Sequence, residues 1–473
     1  MNNKVKIIAT IGPKTASESF LRKMYKAGIS VARLNGSHNN LDWHRKTIKL
    51  IHKVLPNIPI LLDIPGKKIR TAQLKHEPNF QISQEIILTS ESGYDGSEKV
   101  SLTNKELHKY LNVGDIIFAD DGTLKFKVSR IVGKDIICIA ETNGTLKSSK
   151  GINVPHVNLG GKLVTQRDRS MIKFAIDNKV DFIGISFVES AKHIHKIREL
   201  LKNTHIQIVS KVESRKGLVN LEEILKNTDI VMIDRGDLST ETDIESLAFN
   251  QKKIISRCNF HSKPVIVATE MMDSMIESPY PTKAEILDIS NAILDGATAT
   301  MLSGETAVGK FPVEAVNIMS NIALHAMNSR NVGIFNTEEE SFNVMGRAIS
   351  SLCQSTAIDK VIAITISGFA ARIISSQSIK QPIFAVTNNK KLVKSFNIFS
   401  GTEGVYINTK FYKDNQNHVS KCLYYLWNKN IIKSNDNILV VSLSFPGSGK
   451  RMNTLQTHQV RDLEKLFNWK KIK

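Results

Sequence analysis

The stretch IQIVSKVES (206–214), then LVNLEEILKN (218–227), then DIVMIDRGD (229–237), decides the fold. Two nearly unbroken apolar runs flank a segment whose apolar residues recur at helical spacing. Runs of that kind mark strands covered on both faces, as in parallel sheets. Each run ends in polar residues: Lys211 and Glu213 in the first, Arg235 and Asp237 in the second. The unit recurs along the chain. KIIATIGP (6–13), SVARLNGSH (30–38), IPILLDIPG (58–66), DFIGISFV (181–188), PVIVATEMM (264–272) and ATATMLSGE (297–305) complete a set of eight. TKAEILDISNAILDG (282–296) again has helical spacing and closes on Gly296. Eight strand–helix units predict a (β/α)8 barrel, with an open doubly wound sheet as the alternative.

The spacing breaks once, between strand three and strand four. From about 71 to 157, short alternating runs such as FQISQEIILTS and DIIFADDGTLKFKVSRI dominate. They read as a small all-β lid domain inserted in a barrel loop. After about residue 335, VIAITISG (361–368), PIFAVTNN (382–389), GVYIN (404–408) and NILVVSLS (437–444) alternate with helical stretches. The expected organisation is a barrel (1–70 and 158–334), a lid (71–157) and a C-terminal α/β domain (335–473) with a mostly parallel sheet.

Composition sets the function classes. With 473 residues, 41% hydrophobic and 23% charged, the chain reads as folded and soluble. No apolar run is long enough to span a bilayer, and no small-residue cleavage site follows the N-terminal strand. The four cysteines are far apart and form no CxxC pair, which argues against a zinc site or a disulfide framework and favours the cytoplasm. The formal charge of +19 favours anionic partners. The bases are dispersed outside the tail LEKLFNWKKIK, and no nucleic-acid-binding pattern appears. Nucleic acid, acidic lipid and phosphorylated small molecules are the candidate anions, and dispersed Lys in a chain rich in Asn and Ile also fits plain compositional bias.

In such barrels, chemistry sits where the strands finish. The residues there are Arg33, Asn35, Ser37 and His38; Asp63, Lys68 and Arg70; Lys211 and Glu213; Arg235 and Asp237; Thr269 and Glu270. A lone Lys at a strand end is usually solvated, and an exposed Lys–Glu pair contributes little. Convergence on one face changes that reading. Cations hold a multiply charged anion, and carboxylates hold Mg²⁺, which keeps waters and bridges phosphate oxygens. Phosphoryl transfer needs that mixture, because its catalysis is mainly positioning and charge neutralisation.

These motifs resemble the pyruvate kinase family, in order and over nearly the whole chain. ATIGPKT (9–15), ARLNGSH (32–38), DIPGKKIRT (63–71), FADDG (118–122), KGINVPHVNLG (150–160), SKVES, MIDRGDLS, KPVIVATEMMDSMI and MLSGETAVGKFPVEAV carry the resemblance. It implies phosphoryl transfer from phosphoenolpyruvate to ADP, giving pyruvate and ATP. It also implies Mg²⁺ (or Mn²⁺) on Glu213 and Asp237, and a homotetramer. Lys211 would stabilise the phosphoryl group in flight, and Arg33 would bind it. The amides of Gly236 and Asp237 would hold the substrate carboxylate, with Thr269 beside it and near the enolate. Asn35, His38, Arg70 and Lys150 would face the nucleotide.

The chain departs from the family at informative places. Many members hold K⁺ with Asn and Ser of the second strand and Asp-Thr of the third. Here Asn35, Ser37 and Asp63 remain, and Ile64 replaces the Thr. Lys68 stands where K⁺-dependent members carry Glu, so its ammonium is the expected substitute for the ion, with Asp63 as its partner. Activity without K⁺ follows from that expectation. Gly36 replaces a Phe, which is expected to loosen the loop that carries Ser37 and His38. Asp234 replaces a small Ala, Ser239 a Gly and Glu270 a Gln. In the last domain, TISGFAAR keeps Thr365 and Ser367 of an effector loop, and PGSGK (446–450) offers backbone amides to an anion. The alternatives to an active pyruvate kinase are a relative acting on another enol phosphate and a weak or regulatory homologue.

Overall fold

In the computed structural model all eight apolar runs are strands, and they close on one another. The structure describes residues 4–329, 341–411, 417–443 and 452–470, apart from 121, 156 and 158–162. The barrel strands are Lys6–Thr10, Val31–Asn35, Ile60–Ile64, Phe182–Ile185, Gln207–Val212, Ile230–Asp234, Val265–Ala268 and Ala299–Leu302. Each pairs in parallel with its neighbours, and the first pairs with the eighth. The open-sheet alternative is thereby excluded.

Strand parity explains the unbroken apolar runs. Ile8, Val31, Leu61, Phe182, Val209, Ile230, Met232 and Ile266 fill the barrel interior. Their neighbours, such as Ile7, Ala32, Leu62, Ile183, Ile208, Val231 and Val267, pack outward under the helices. Both sets are buried, so hydrophobicity does not alternate. The parity also sets the layer above. Two residues beyond the interior set come Thr10, Arg33, Asp63, Gly184, Lys211 and Asp234, at the mouth where the strands finish.

A seven-stranded sheet fills the long insertion. Its order is Ile69–Arg70, Gly151–Asn153, Ile116–Ala119, Leu124–Val132, Asp135–Ala140, Glu85–Thr89 and Val100–Ser101. It has its own core, including Leu88, Ile117, Phe126 and Ile136. Because Ile69–Arg70 pairs with Gly151–Asn153, the chain enters and leaves this sheet through adjacent strands. Both lie beside the barrel mouth.

The C-terminal sheet has the order Thr402–Tyr406, Ile383–Thr387, Lys360–Ile364, Asn437–Ser442 and Thr454–Gln459. Its first four strands are parallel and the last is antiparallel. This domain meets the opposite end of the barrel. The Gly401 N–H donates to Lys4 O, Lys6 Nζ to Thr402 O, and Ser376 Oγ to Ser262 Oγ. In its TISG loop, Thr365 Oγ1 accepts the Gly368 N–H, and Gly368 takes φ +82 before the helix Phe369–Ser376. A side chain on Gly368 would strike the Phe396 ring. The PGSGK turn lies outside the described residues.

Candidate active site

Every charged group in the mouth layer is buried against an opposite charge. Arg33 spans the first three strands. Its Nε and Nη2 donate to Asp63 Oδ2 at 3.2 and 2.8 Å, and its Nη1 donates to Thr10 Oγ1 at 2.9 Å. Asp63 fits because strand four offers Gly184: a Cβ there would lie 2.7 Å from Asp63 Oδ1. Lys211 lies 2.6 Å from Glu213 Oε1, 2.9 Å from Asp234 Oδ2 and 3.6 Å from Asp63 Oδ2. Its ammonium also reaches Ser186 Oγ at 3.4 Å.

Lys68 corrects an expectation. Its ammonium binds Asp237, at 2.7 Å from Oδ1 and 2.9 Å from Oδ2, whereas Asp63 is engaged by Arg33. The segment after strand three carries Lys68 across the mouth to the helix Arg235–Glu241, which follows strand six. Spacing along the sequence showed only that Lys68 and Asp63 are near in the chain.

Electrostatics follow from this packing. Burial alone would lower the Lys211 pKa, but Asp234, Asp63, Glu213 and Asp237 outweigh it and hold the ammonium firmly protonated. Burial opposes ionisation of Asp234, yet Lys211 and Lys68 keep its pKa below the usual carboxylate range. For Glu213, burial dominates over Lys211, and Asp237 and Asp234 add to the upward shift. Burial also raises Asp237, against the pull of Lys68.

Glu213 is anchored from one side only. Its Oε2 accepts the Phe187 N–H at 2.6 Å. Its Oε1 has charge beside it, from Lys211, but no aligned hydrogen bond among the described residues. Carboxylate oxygens of Glu213, Asp234 and Asp237 lie within 4.8 Å of one another, and all three residues are buried. Oxygen donors so grouped suit a hard divalent cation.

The strand-seven end is a strained turn. Thr269 and Glu270 take φ +67 and +51, conformations that disfavour side chains other than Gly, Asn and Asp. Arg235 holds them: its Nε and Nη2 donate to Thr269 O, and Nη2 also donates to Glu270 O. Its Nη1 meets Asp288 at 2.5 Å. Thr269 Oγ1 accepts the Gly236 N–H at 2.9 Å and donates to Ala268 O at 2.5 Å. The Gly236 amide expected to face a carboxylate is thus already bonded to Thr269.

The remaining expected residues gather at the lid side. Asn35 Oδ1 accepts the Ser37 N–H at 3.1 Å. Arg70 and Lys150 lie next to each other across the lid sheet, Arg70 donating to Ser149 O and Lys150 pairing with Asp120. Burial, then the charges of Arg70, Arg33 and Lys150, lower the His38 pKa, so these four groups share one environment. Gly36, expected to loosen its loop, is closely packed instead. Its N–H donates to Asp63 O, and a Cβ would lie 2.7 Å from that oxygen and 2.5 Å from Met171 Cε.

Sequence reading missed Thr10, Gly184, Ser186, Asn153 and Glu241. Strand parity marked the first two, since they lie two residues past Ile8 and Phe182. Asn153, on the lid's return strand, donates to Glu241 Oε1 at 3.1 Å and Asp237 Oδ1 at 3.4 Å. No local signal announces that contact.

Comparison with known proteins agrees with this geometry. Residues 2–316 match the model for "Pyruvate kinase, barrel domain", and residues 343–458 match "Pyruvate kinase, alpha/beta domain". A pyruvate kinase of Clostridium perfringens is 37% identical over 83% of this chain and 86% of its own. One from Thermococcus litoralis is 34% identical over 97% of this chain and 99% of its own. The crystal structure of a Cryptosporidium parvum pyruvate kinase superposes with a TM-score of 0.85 at 29% identity, covering 97% of this chain and 96% of that one. The chain belongs to the pyruvate kinase family.

Proposed function

We propose that the protein transfers the phosphoryl group of phosphoenolpyruvate to ADP, using Mg²⁺ or Mn²⁺ and no K⁺. The observation that carries this reading is the buried ring of Arg33, Lys68 and Lys211 interleaved with Asp63, Glu213 and Asp237 at one barrel mouth. Glu213 and Asp237 would hold a divalent ion, which when bound would supply positive charge to the phosphate.

Arg33 is fixed by Asp63 and Thr10 before any substrate arrives, so little side-chain entropy is lost on binding the phosphate. Lys211 stays charged and meets the negative charge that spreads over the phosphoryl oxygens as the bond from phosphorus to the enol oxygen breaks. A β-phosphate oxygen of ADP forms the new bond to phosphorus. The enolate left behind takes a proton at its terminal carbon, supplied through water held by Thr269. The Gly236 and Asp237 amides receive the substrate carboxylate, with the Gly236 N–H turning from Thr269. Asn35, His38, Arg70 and Lys150 receive the nucleotide. Closing the lid excludes water, so the phosphoryl group is not lost to hydrolysis.

Lys68 supplies the fixed positive charge that stands in for the K⁺ of relatives, from its place on Asp237 rather than on Asp63 of the Asn35, Ser37 and Asp63 set. Self-assembly, a homotetramer in this reading, is supported by exposed apolar side chains on the segments after strands six and seven: Ile244, Phe249, Tyr280 and Leu287. No helix among the described residues is long and apolar enough to cross a membrane, and all four cysteines are free and buried, which supports a cytoplasmic setting.

The test is pyruvate formation from phosphoenolpyruvate, ADP and Mg²⁺ in K⁺, Na⁺ and a bulky organic cation. Equal turnover in all three is expected. Turnover only in K⁺ overturns the Lys68 reading. No turnover from folded protein shifts the assignment to another enol phosphate or to a regulatory homologue.

A further inference from the structure

Asp234 is the last residue of strand six, and parity sends it into the barrel mouth above Ile230 and Met232. Nothing in the proposed chemistry uses it, and the family's usual Ala has no carboxylate there. Its burial is costly unless it serves a cation. Lys211 is one such cation, at 2.9 Å, but that ammonium already has Glu213 at 2.6 Å and Asp63 at 3.6 Å. At the mouth, four carboxylates (Asp63, Glu213, Asp234, Asp237) face three cations (Arg33, Lys68, Lys211). An Ala at 234 would leave the two signs even. The surplus negative charge is local: oxygens of Asp234, Glu213 and Asp237 lie within 4.8 Å of one another. The fully buried Glu213 Oε1 has the Lys211 ammonium at 2.6 Å but no aligned hydrogen bond among the described residues.

We propose that Asp234 is a third protein ligand of the divalent ion, so that the ion binds tightly before any phosphate substrate. The inference rests on Glu213 and Asp237 as the other two ligands. Mg²⁺ sites commonly rely on one or two carboxylates and complete their shell with substrate phosphate and water. A third carboxylate replaces part of that dependence, because affinity for hard cations rises with the charge count of the ligands.

The probe is Mn²⁺ alone, titrated into the intact protein without substrate and read as free ion by electron paramagnetic resonance. Wild type is compared with Asp234→Ala, Asp234→Asn and Glu213→Gln, each checked by circular dichroism. The proposal expects both Asp234 variants to bind Mn²⁺ at least ~10-fold more weakly, the loss that 1.4 kcal/mol represents, and Glu213→Gln to weaken binding as well. Asp234 variants within twofold of wild type, with Glu213→Gln weakened, overturn this inference alone and leave Asp234 as a counter-charge for Lys211. Unchanged binding in all three variants overturns both this inference and the metal reading of the site. If the variants do not fold, a crystal structure of wild type soaked in Mn²⁺ decides. Coordination by Asp234 supports the proposal, and an ion held by Glu213 and Asp237 without it overturns the proposal.

Discussion

The two ends of the barrel bury charge in opposite ways. At the mouth, charges are buried against each other: Arg33 on Asp63, Lys68 on Asp237, and Lys211 among three carboxylates. At the other end, three charged groups hydrogen-bond to backbone, and burial outweighs the charges near them. Lys6 Nζ donates to Thr402 O, Lys263 Nζ to Thr228 O, and Asp181 Oδ2 accepts the Ile60 N–H. The consequences differ. Burial pulls Lys6 and Lys263 down to about 8 and pushes Asp181 up to about 6, each towards neutrality. At the mouth, Lys211 is driven the other way, deeper into its charged form. A fixed charge is what a phosphate needs, whereas Lys6, Lys263 and Asp181 need only hold strand ends and a domain contact in place.

The largest expected effect comes from removing the hub of the network. Lys211→Met should lower kcat by about 10²–10³-fold, the usual loss for a contact made to developing charge. It should also destabilise the fold by roughly 3–5 kcal/mol, because Asp234 and Glu213 lose a buried partner. Lys211→Met with Asp234→Ala should recover part of the stability in urea unfolding and none of the activity. A double variant no more stable than the single one would show that the mouth is not an interdependent network.

Lys68→Glu comes next. It places a carboxylate beside Asp237 and removes the proposed substitute for K⁺. Activity in Na⁺ should fall by at least ~10-fold, equivalent to about 1.4 kcal/mol of barrel-mouth electrostatics. Exchange of Na⁺ for K⁺ should restore part of it. A variant that is equally active in both ions would separate Lys68 from monovalent-ion chemistry.

A third substitution concerns space. Gly36→Phe restores the family's usual residue, yet here the Cβ alone meets Asp63 O and the Met171 methyl. It should destabilise by about 1–3 kcal/mol, as overpacking does. Because Gly36 bonds to Asp63 O, it should also weaken substrate binding through Asp63 and Arg33. Gly36→Phe with Met171→Ala should regain stability if the methyl is the main obstacle, measured as the change in thermal midpoint.

The same contrast explains what was legible in the sequence. Barrel strands buried on both faces announce themselves as continuous apolar runs, and the closing number follows from counting them. The C-terminal edge strand Thr454–Gln459 was missed because TLQTHQ is polar, sits half exposed and pairs on one side only. Residues at strand ends could be collected because each strand delivers its own. Which partner each takes could not be read. Lys68 reaches Asp237 across the mouth, and Asn153 arrives from the lid to meet Asp237 and Glu241. Those contacts depend on how two loops fold over the barrel, for which spacing along the chain carries no signal. The tight fit at Gly36 depends on Met171, distant in sequence.

The last test concerns the groups held by backbone at the other end, and it sharpens the contrast through pH. Asp181 has a folded-state pKa near 6, above its ordinary value of 3.8, so the native protein binds more protons than the unfolded chain between those limits. Stability attributable to this group is therefore present below about pH 4 and is lost as pH rises to about 6. Asp181→Asn keeps an oxygen for the Ile60 N–H and removes the titration. Its advantage over wild type in urea should grow from pH 4 to 6, by about 1.4 kcal/mol per pH unit across that window, and then level off. Lys6 titrates in the opposite sense. Its lowered pKa means that the unfolded chain binds more protons between about 8 and 10.5, so wild type gains stability relative to Lys6→Met as pH rises through that window. Flat differences for both variants would mean that water or neighbouring charge reaches these sites, and that the two ends of the barrel do not differ in how they hold charge.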